Sequence, residues 1–390
     1  MFDKTKKQLS KFMERLSDAL DIPEAQFKEA VERYQAVGKW LNKEDSKLHP
    51  FEPEIYPQGS FRLGTVVKPT SDEDEYDIDL VCELNLSSGD VTQKRLKKMV
   101  GDRLKDNKTY EGMLDKEGRR CWTLNYADGS KFHLDILPSV PDDINLKEKL
   151  QILGVPKEWT EYAICITDNT SQNYDSCNDD WPRSNPKGYA AWFKEQMKTQ
   201  YEARKMLLAE EMRISIEDVP EYRVKTPLQR AIQILKRHRD IMFENDQEHK
   251  PISIIITTLA AHSYNNEADL FDAITNIVKG MPHYIRRLNG AIWIPNPVNP
   301  DENFGDKWNE NPKLEESFRN WLLQVQSDLD SIMKKDNIRE ISESMKFSFG
   351  MVTVQTAFSA FGSSNLKVND QIPEVKIQNP SKPWRQWQDA

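Results

Sequence analysis

A chain of 390 residues exceeds what one hydrophobic core usually supports, so two lobes are expected. Its formal net charge of -9 speaks against a duplex-DNA binder, which needs a basic stripe to displace counterions, and no DNA activator is expected. No signal or transit peptide is legible, and the longest apolar run, Ile254 to Ala261, is far too short to span a bilayer; a cytoplasmic protein with no membrane partner is expected.

In chain order, Leu9, Phe12, Met13, Leu16 and Leu20 recur at helical spacing. After Pro23 so do Phe27, Ala30, Val31, Tyr34 and Leu41, which predicts two amphipathic helices. Residues 1–50 are expected to brace a catalytic lobe over 51–187. Strand-like runs follow at Ile55, Asp77 to Leu84, Cys121 to Tyr126 and Lys131 to Leu137. The last two are joined by Ala127-Asp128-Gly129, whose Asp-Gly pair predicts a hairpin. Thr167 to Lys187 is rich in Asn, Asp, Ser and Pro and reads as a long loop, functional or mobile.

From Tyr189 the pattern is mainly helical, giving a second lobe over 188–362. Leu228, Ile232, Ile234 and Leu235 suggest a helix whose polar side carries Lys236 and Arg237. Residues 363–390, with low periodicity and three prolines, read as a loosely attached tail. Lys94-Arg95 with Lys97-Lys98, and Arg286-Arg287, read as solvated surface. Cys82, Cys121, Cys165 and Cys177 lack Cys-x-x-Cys spacing, so no structural zinc site is expected.

Chemistry concentrates at Gly59-Ser60-Phe61-Arg62-Leu63-Gly64-Thr65, Asp77-Ile78-Asp79 and Phe132-His133-Leu134-Asp135-Ile136. Side chains alternate on a strand, so Asp77 and Asp79 share one face while Ile78 and Leu80 enter a core. Adjacent carboxylates repel unless cations lie between them. Magnesium takes one or two carboxylates plus phosphate and water oxygens, and two ions about 3.5–4 Å apart clamp attacking and leaving oxygens. Asp135, on a neighbouring strand, is the natural third ligand. Gly59 lets backbone amides approach a phosphate, and the Ser60 hydroxyl adds a donor. These residues point to nucleotidyl transfer.

Gln58-Gly59-Ser60, the Tyr76–Val81 strand and Leu134-Asp135-Ile136 resemble the polymerase-beta-like nucleotidyltransferase superfamily. More narrowly, the chain resembles the bacterial cGAS/DncV-like nucleotidyltransferases (CD-NTases). That likeness is carried by Trp181-Pro182-Arg183-Ser184-Asn185-Pro186-Lys187-Gly188-Tyr189, Ile234-Leu235-Lys236-Arg237-His238, Pro251-Ile252-Ser253, and Asn296-Pro297 running on to Glu302-Asn303-Phe304.

The resemblance implies an α+β fold, with a mixed-sheet catalytic lobe, a mainly helical second lobe and the active site in the cleft between them. It implies Asp77, Asp79 and Asp135 as catalytic ligands of two Mg2+ ions, with Mn2+ able to substitute. It makes Gln58, Gly59, Ser60, Lys236 and Ser253 nucleotide ligands, although Ser253 also reads as a helix N-cap after Pro251. ATP and a second NTP are the implied substrates, and a cyclic di- or trinucleotide that activates an anti-phage effector is the implied product. The resemblance further suggests attachment of the C-terminus to other proteins by a ubiquitin-ligase-like partner. A superfamily member acting on RNA, a small molecule or a protein would share the carboxylates, and a degenerate nucleotide-binding module remains the non-enzymatic alternative.

Overall fold

A computed structural model describes residues 2–71, 75–126, 132–142 and 144–369; the Asp128-Gly129 turn and residues 370–390 lie outside them. Helices α1 (Phe2–Leu20) and α2 (Glu24–Leu41) form where the two apolar periods fall, with Pro23 standing at the N-cap of α2. All five periodic residues of α1 are fully buried.

The catalytic sheet follows. It comprises β1 (Glu54–Pro57), the short helix α3 (Gly59–Leu63), β2 (Tyr76–Glu83), α4 (Gln93–Lys105), α5 (Lys108–Met113), β3 (Trp122–Asn125), β4 (Phe132–Pro141), α6 (Ile144–Ile152), α7 (Lys157–Thr160), β5 (Ile164–Ile166) and β6 (Arg183–Ser184). Strands β2 and β4 run parallel at its centre, which requires a crossover, supplied here by α4, α5 and β3. Strand β1 is antiparallel to the free edge of β2. The other edge of β4 is shared end to end, β3 pairing with residues 133–136 and β5 with 139–141. The predicted hairpin is thus formed as the β3–β4 pair. Sequence reading missed β5 and β6, which are too short to show a period.

The remaining helices are α8 (Pro186–Gln196), α9 (Lys198–Met212), α10 (Pro227–Met242), α11 (Ser253–Ser263) and α12 (Leu270–Gly280). Two small strand pairs interrupt them, β7 (Arg286–Leu288) with β8 (Ala291–Trp293) and β9 (Pro295–Asn296) with β10 (Asn299–Asn303). Then come α13 (Asp306–Glu310), α14 (Pro312–Met333), α15 (Ile338–Phe349) and α16 (Met351–Asn369).

Two large apolar cores divide these elements. One gathers Ile78, Leu80, Leu134, Ile136 and the inner sides of α2 and α4; the other gathers α1, α8, α10, α11, α12, α14, α15 and α16. Helix α2 packs into the first core, whereas the apolar stripe of α1 is buried against α10, α12, α15 and α16. The boundary at 363 also shifts, since α16 continues to Asn369.

The long loop is pinned rather than open. The Asp168 carboxylate accepts from Arg119, Arg120 and Thr170, Ser88 donates to Asp179, and Gln93 accepts from the Asp168 amide. Lys97, read as solvated, is fully buried; its ammonium donates to the Arg119 carbonyl at 2.9 Å and to that of Gly118. Arg286 and Arg287 are exposed, as expected.

Candidate active site

Strand alternation places the acidic side chains as the pattern demands. Ile78 and Leu80 are fully buried, while Asp77 and Asp79 share the opposite face. On β4 the same alternation buries Phe132, Leu134 and Ile136 and turns His133 and Asp135 to that face. The parallel register sets Asp79 directly beside Asp135, and Asp77 beside His133. On the far side of Asp135 stands Thr123, whose hydroxyl donates to Oδ1 at 2.5 Å. All three predicted carboxylates are therefore brought together on two adjacent strands.

Their electrostatics differ. Asp79 is half-buried, and burial, then the charges of Asp135 and Asp77, push its carboxyl up to about 6. Asp77 goes the other way, lowered by its bond to His133, whose Nε2 lies 3.0 Å from Oδ1. His133, also 3.5 Å from Glu75, is raised to about 9 by the Asp77 bond first, so an imidazolium sits among these carboxylates. Sequence reading passed over His133, although its place two residues before Asp135 puts it on the same face.

The Gly-Ser pair is not a simple turn but the start of α3. Gln58 is extended at its N-cap, and its amide donates to the Asp79 carbonyl at 2.8 Å, tying the helix start to the carboxylate strand. Gly59 has φ +59°, and a Cβ there would press into the Asp79 carboxylate. Glycine is thus required both by backbone conformation and by space for the acid. Ser60, half-buried in the first turn, lies in the segment whose amides have no intrahelical partner.

From the second lobe, α10 lays a row of donors along the strap that leaves α3. Gln229 donates to the Leu63 carbonyl at 2.9 Å, Lys225, just before the helix, to Gly64 at 3.0 Å, and Lys236 to Thr65 at 3.2 Å. Gln233 follows to Val66 at 2.7 Å and Arg237 to Pro69 at 3.2 Å. Gln233 also donates to Asp21 at 2.7 Å. Lys236 and Arg237, expected on a polar face, are buried for this reason. Sequence alone carried a usable signal in the spacing of Gln229, Gln233, Lys236 and Arg237 along one helical face. We expect Gln233→Leu to strand the buried Val66 carbonyl and cost about 1–3 kcal/mol of stability, read by urea denaturation.

Lys236 lies close enough to Asp79 for each charge to act on the other, and burial lowers its ammonium to about 7. Ser253 is the first residue of α11, not its N-cap. Ile252 holds that position without a side-chain bond, and the Ser253 hydroxyl instead accepts from Arg239 at 2.9 Å. A cavity of about 1010 Å³ lies elsewhere, lined by Phe27, Phe61, Arg62 and Tyr222 and by none of the three carboxylates.

Among the described residues no three acidic, histidine or cysteine side chains form a ready metal cage. That suits magnesium, which binds through one or two carboxylates and completes its shell with substrate phosphates and water. Burial first, then the charges of Asp135 and Asp77, disfavour the Asp79 carboxylate, and a cation beside it would relieve that repulsion.

Comparison with known proteins agrees with this geometry. Residues 53–138 match the family model of the cyclic GMP-AMP synthase DncV-like nucleotidyltransferase domain. A c-di-GMP synthase from Roseivirga ehrenbergii is 32% identical over 349 residues, spanning 88% of this chain and 85% of the relative. The cyclic dinucleotide synthase CdnG of Bradyrhizobium diazoefficiens is 25% identical over 371 residues, spanning 90% and 83%. The structure of that CD-NTase in complex with GTP superimposes with a TM-score of 0.68 at 23% identity, over 91% of this chain and 99% of CdnG. Vibrio cholerae DncV in complex with ATP and GTP shares the fold at a TM-score of 0.53 and 16% identity, over 91% and 83%. No described helix is long and apolar enough to cross a membrane. The chain belongs to the CD-NTases, the DncV-like nucleotidyltransferases whose members include cyclic dinucleotide synthases.

Proposed function

We propose that this nucleotidyltransferase moves a nucleoside monophosphate from one NTP onto the ribose hydroxyl of a second, then closes the linear product into a cyclic di- or trinucleotide. The observation that carries this reading is the register that sets Asp79 beside Asp135, with Asp77 on the same face and Gly59 over it. Asp77, Asp79 and Asp135 would hold the magnesium, which would supply charge neutralisation for the departing pyrophosphate and a lowered pKa for the attacking hydroxyl.

The chain's own groups do the rest. Asp135 receives the proton of the attacking hydroxyl, and Thr123, by holding Oδ1, leaves Oδ2 for it. Gln58, Gly59 and Ser60 orient the phosphates from the sheet side, while Lys236 and Ser253 meet them from the helical side. The two apolar cores support a division into a sheet lobe and a helical lobe that includes α1.

ATP is retained as a substrate. The name of the Roseivirga relative and the GTP-bound state of CdnG favour adding GTP to it. The product, on this reading, activates a separate anti-phage effector. A transferase acting on RNA, a small molecule or a protein would need an acceptor, so the test is incubation with magnesium and each labelled NTP alone or in pairs. Phosphatase-resistant product without an acceptor is expected, and mass spectrometry identifies its bases. If GTP, ATP and their mixture all fail to give such product, the reading is wrong.

A further inference from the structure

Helix α11 begins at Ser253, and Ile252 before it supplies no side-chain cap. The first-turn amides of this eleven-residue helix therefore keep their donor capacity, with the positive end of the helix dipole behind them. One side chain of α10, Arg239, stands at this place, and Lys236, buried with its ammonium on Thr65, lies within reach of its charge. Arg239, almost one turn further on, donates through Nη1 to the Ser253 hydroxyl at 2.9 Å and to the Pro251 carbonyl at 3.1 Å. Its Nε and Nη2 grip the Asp240 carboxylate at 3.0 and 2.7 Å, which fixes the guanidinium plane. Lys250 reaches the same carboxylate at 3.5 Å. Arg239 and Lys250 thus share the Asp240 carboxylate, while the charge of Lys236 is felt by both Asp240 and Asp79.

The hydrogen-bond chemistry of Ser253 is then constrained. A serine hydroxyl has one proton and two lone pairs, and a guanidinium can only donate. The bond from Arg239 occupies a lone pair of Ser253, so the hydroxyl proton must be given to another acceptor. Beside uncapped amides and an ammonium, the acceptor that fits is an anionic oxygen.

The structure assigns Arg239 as a positioning residue for the nucleotide's polyphosphate: it makes Ser253 an outward donor and holds the start of α11 in place beside Lys236. This rests on the reading of Lys236 and Ser253 as phosphate ligands. The competing role is a plain staple between α10 and the 251–253 segment, which would affect every ligand alike.

The test measures binding calorimetrically with the full chain and magnesium, using a non-hydrolysable α,β-methylene GTP analogue and, in parallel, GMP, which lacks the outer phosphates. Arg239→Met is expected to weaken the triphosphate analogue by about tenfold or more while changing GMP by less than about twofold. Arg239→Lys, which keeps the charge but not the planar fork, is expected to fall between wild type and Arg239→Met. In a Ser253→Ala background the Arg239→Met loss should shrink, because both changes remove one shared contact. Equal losses for analogue and GMP, or full additivity with Ser253→Ala, would overturn the assignment.

Lys236→Ala separates the two levels of inference. If it leaves the analogue's affinity intact, the phosphate-site reading has failed. If it weakens the analogue and Arg239→Met does not, only the role of Arg239 has failed. Should Arg239→Met not fold, Arg239→Lys, checked by thermal melting, carries the same comparison, and an unchanged ratio of analogue to GMP affinity then counts against the assignment.

Discussion

Asp79→Asn is expected to abolish nucleotidyl transfer and, in metal-free buffer near neutral pH, to raise the melting temperature; Asp77→Asn is expected to abolish transfer without that gain. The two carboxylates look alike in sequence, but their surroundings are opposite. Asp79 is held at about 6 by burial and by the neighbouring carboxylates. A carboxyl raised on folding binds its proton more tightly in the folded chain, so stability falls as pH climbs from about 4 to about 6 and stays lower above that. A shift of about two units corresponds to roughly 3 kcal/mol, which the neutral amide would relieve.

Asp77 is lowered by its bond to His133 and contributes favourably when ionised. Asparagine there takes away the charge that His133 faces at 3.0 Å and leaves the pull of Asp135 and the 3.5 Å contact to Glu75. Adding magnesium should stabilise the wild type and neither variant as strongly, since ligand binding to the folded state shifts the midpoint. The checks are a product assay and melting curves at pH 4.5 and 7.5, with and without magnesium. More than about 5% residual synthesis in either variant would remove the metal assignment, given the several kcal/mol that metal neutralisation supplies. An identical thermal response of both variants would remove the electrostatic distinction between them.

The sequence made the carboxylate site legible because strand alternation is a strict rule. Once Ile78, Leu80, Leu134 and Ile136 are placed in a core, Asp77, Asp79 and Asp135 have only one face left. The register between β2 and β4 was not readable, because parallel strands far apart in sequence leave no local mark of their pairing. The same limit hid the company of α1. Its apolar stripe says that it packs, and only tertiary structure says against what.

Lys97 was misjudged for a related reason. Lysines on helices are mostly solvated, yet Lys97 faces backbone carbonyls that no helical pattern can reveal. Ser253 illustrates the subtler failure: a serine after proline suits an N-cap, but the helix starts one residue earlier than that role requires, and Arg239 takes the hydroxyl.

Asp135→Asn should lower kcat by about two to four orders of magnitude with little change in KM, whereas Ser60→Ala and Lys236→Ala should raise KM for the NTP with smaller effects on kcat. The contrast follows from what each group faces. Asp135 shares its strand position with Asp79 and has one oxygen held by Thr123, which on the proposed reading leaves the other to accept the proton of a hydroxyl arriving over the sheet. Asparagine keeps the shape and the Thr123 contact but cannot take that proton. On the proposed reading Ser60 and Lys236 would touch phosphate in ground and transition states alike, and uniform binding appears in KM.

Lys236 adds a pH signature. Burial lowers its ammonium to about 7, so in the free enzyme the charged form is lost as pH rises through that value. Triphosphate affinity should therefore fall between about pH 7 and pH 9 in the wild type, and this slope should flatten in Lys236→Ala. Steady-state kinetics across that range, at saturating magnesium, would reveal both effects. If Asp135→Asn changed KM alone, its place as proton acceptor would be wrong; if the pH slope persisted without Lys236, the charge that meets the phosphates must come from another side chain.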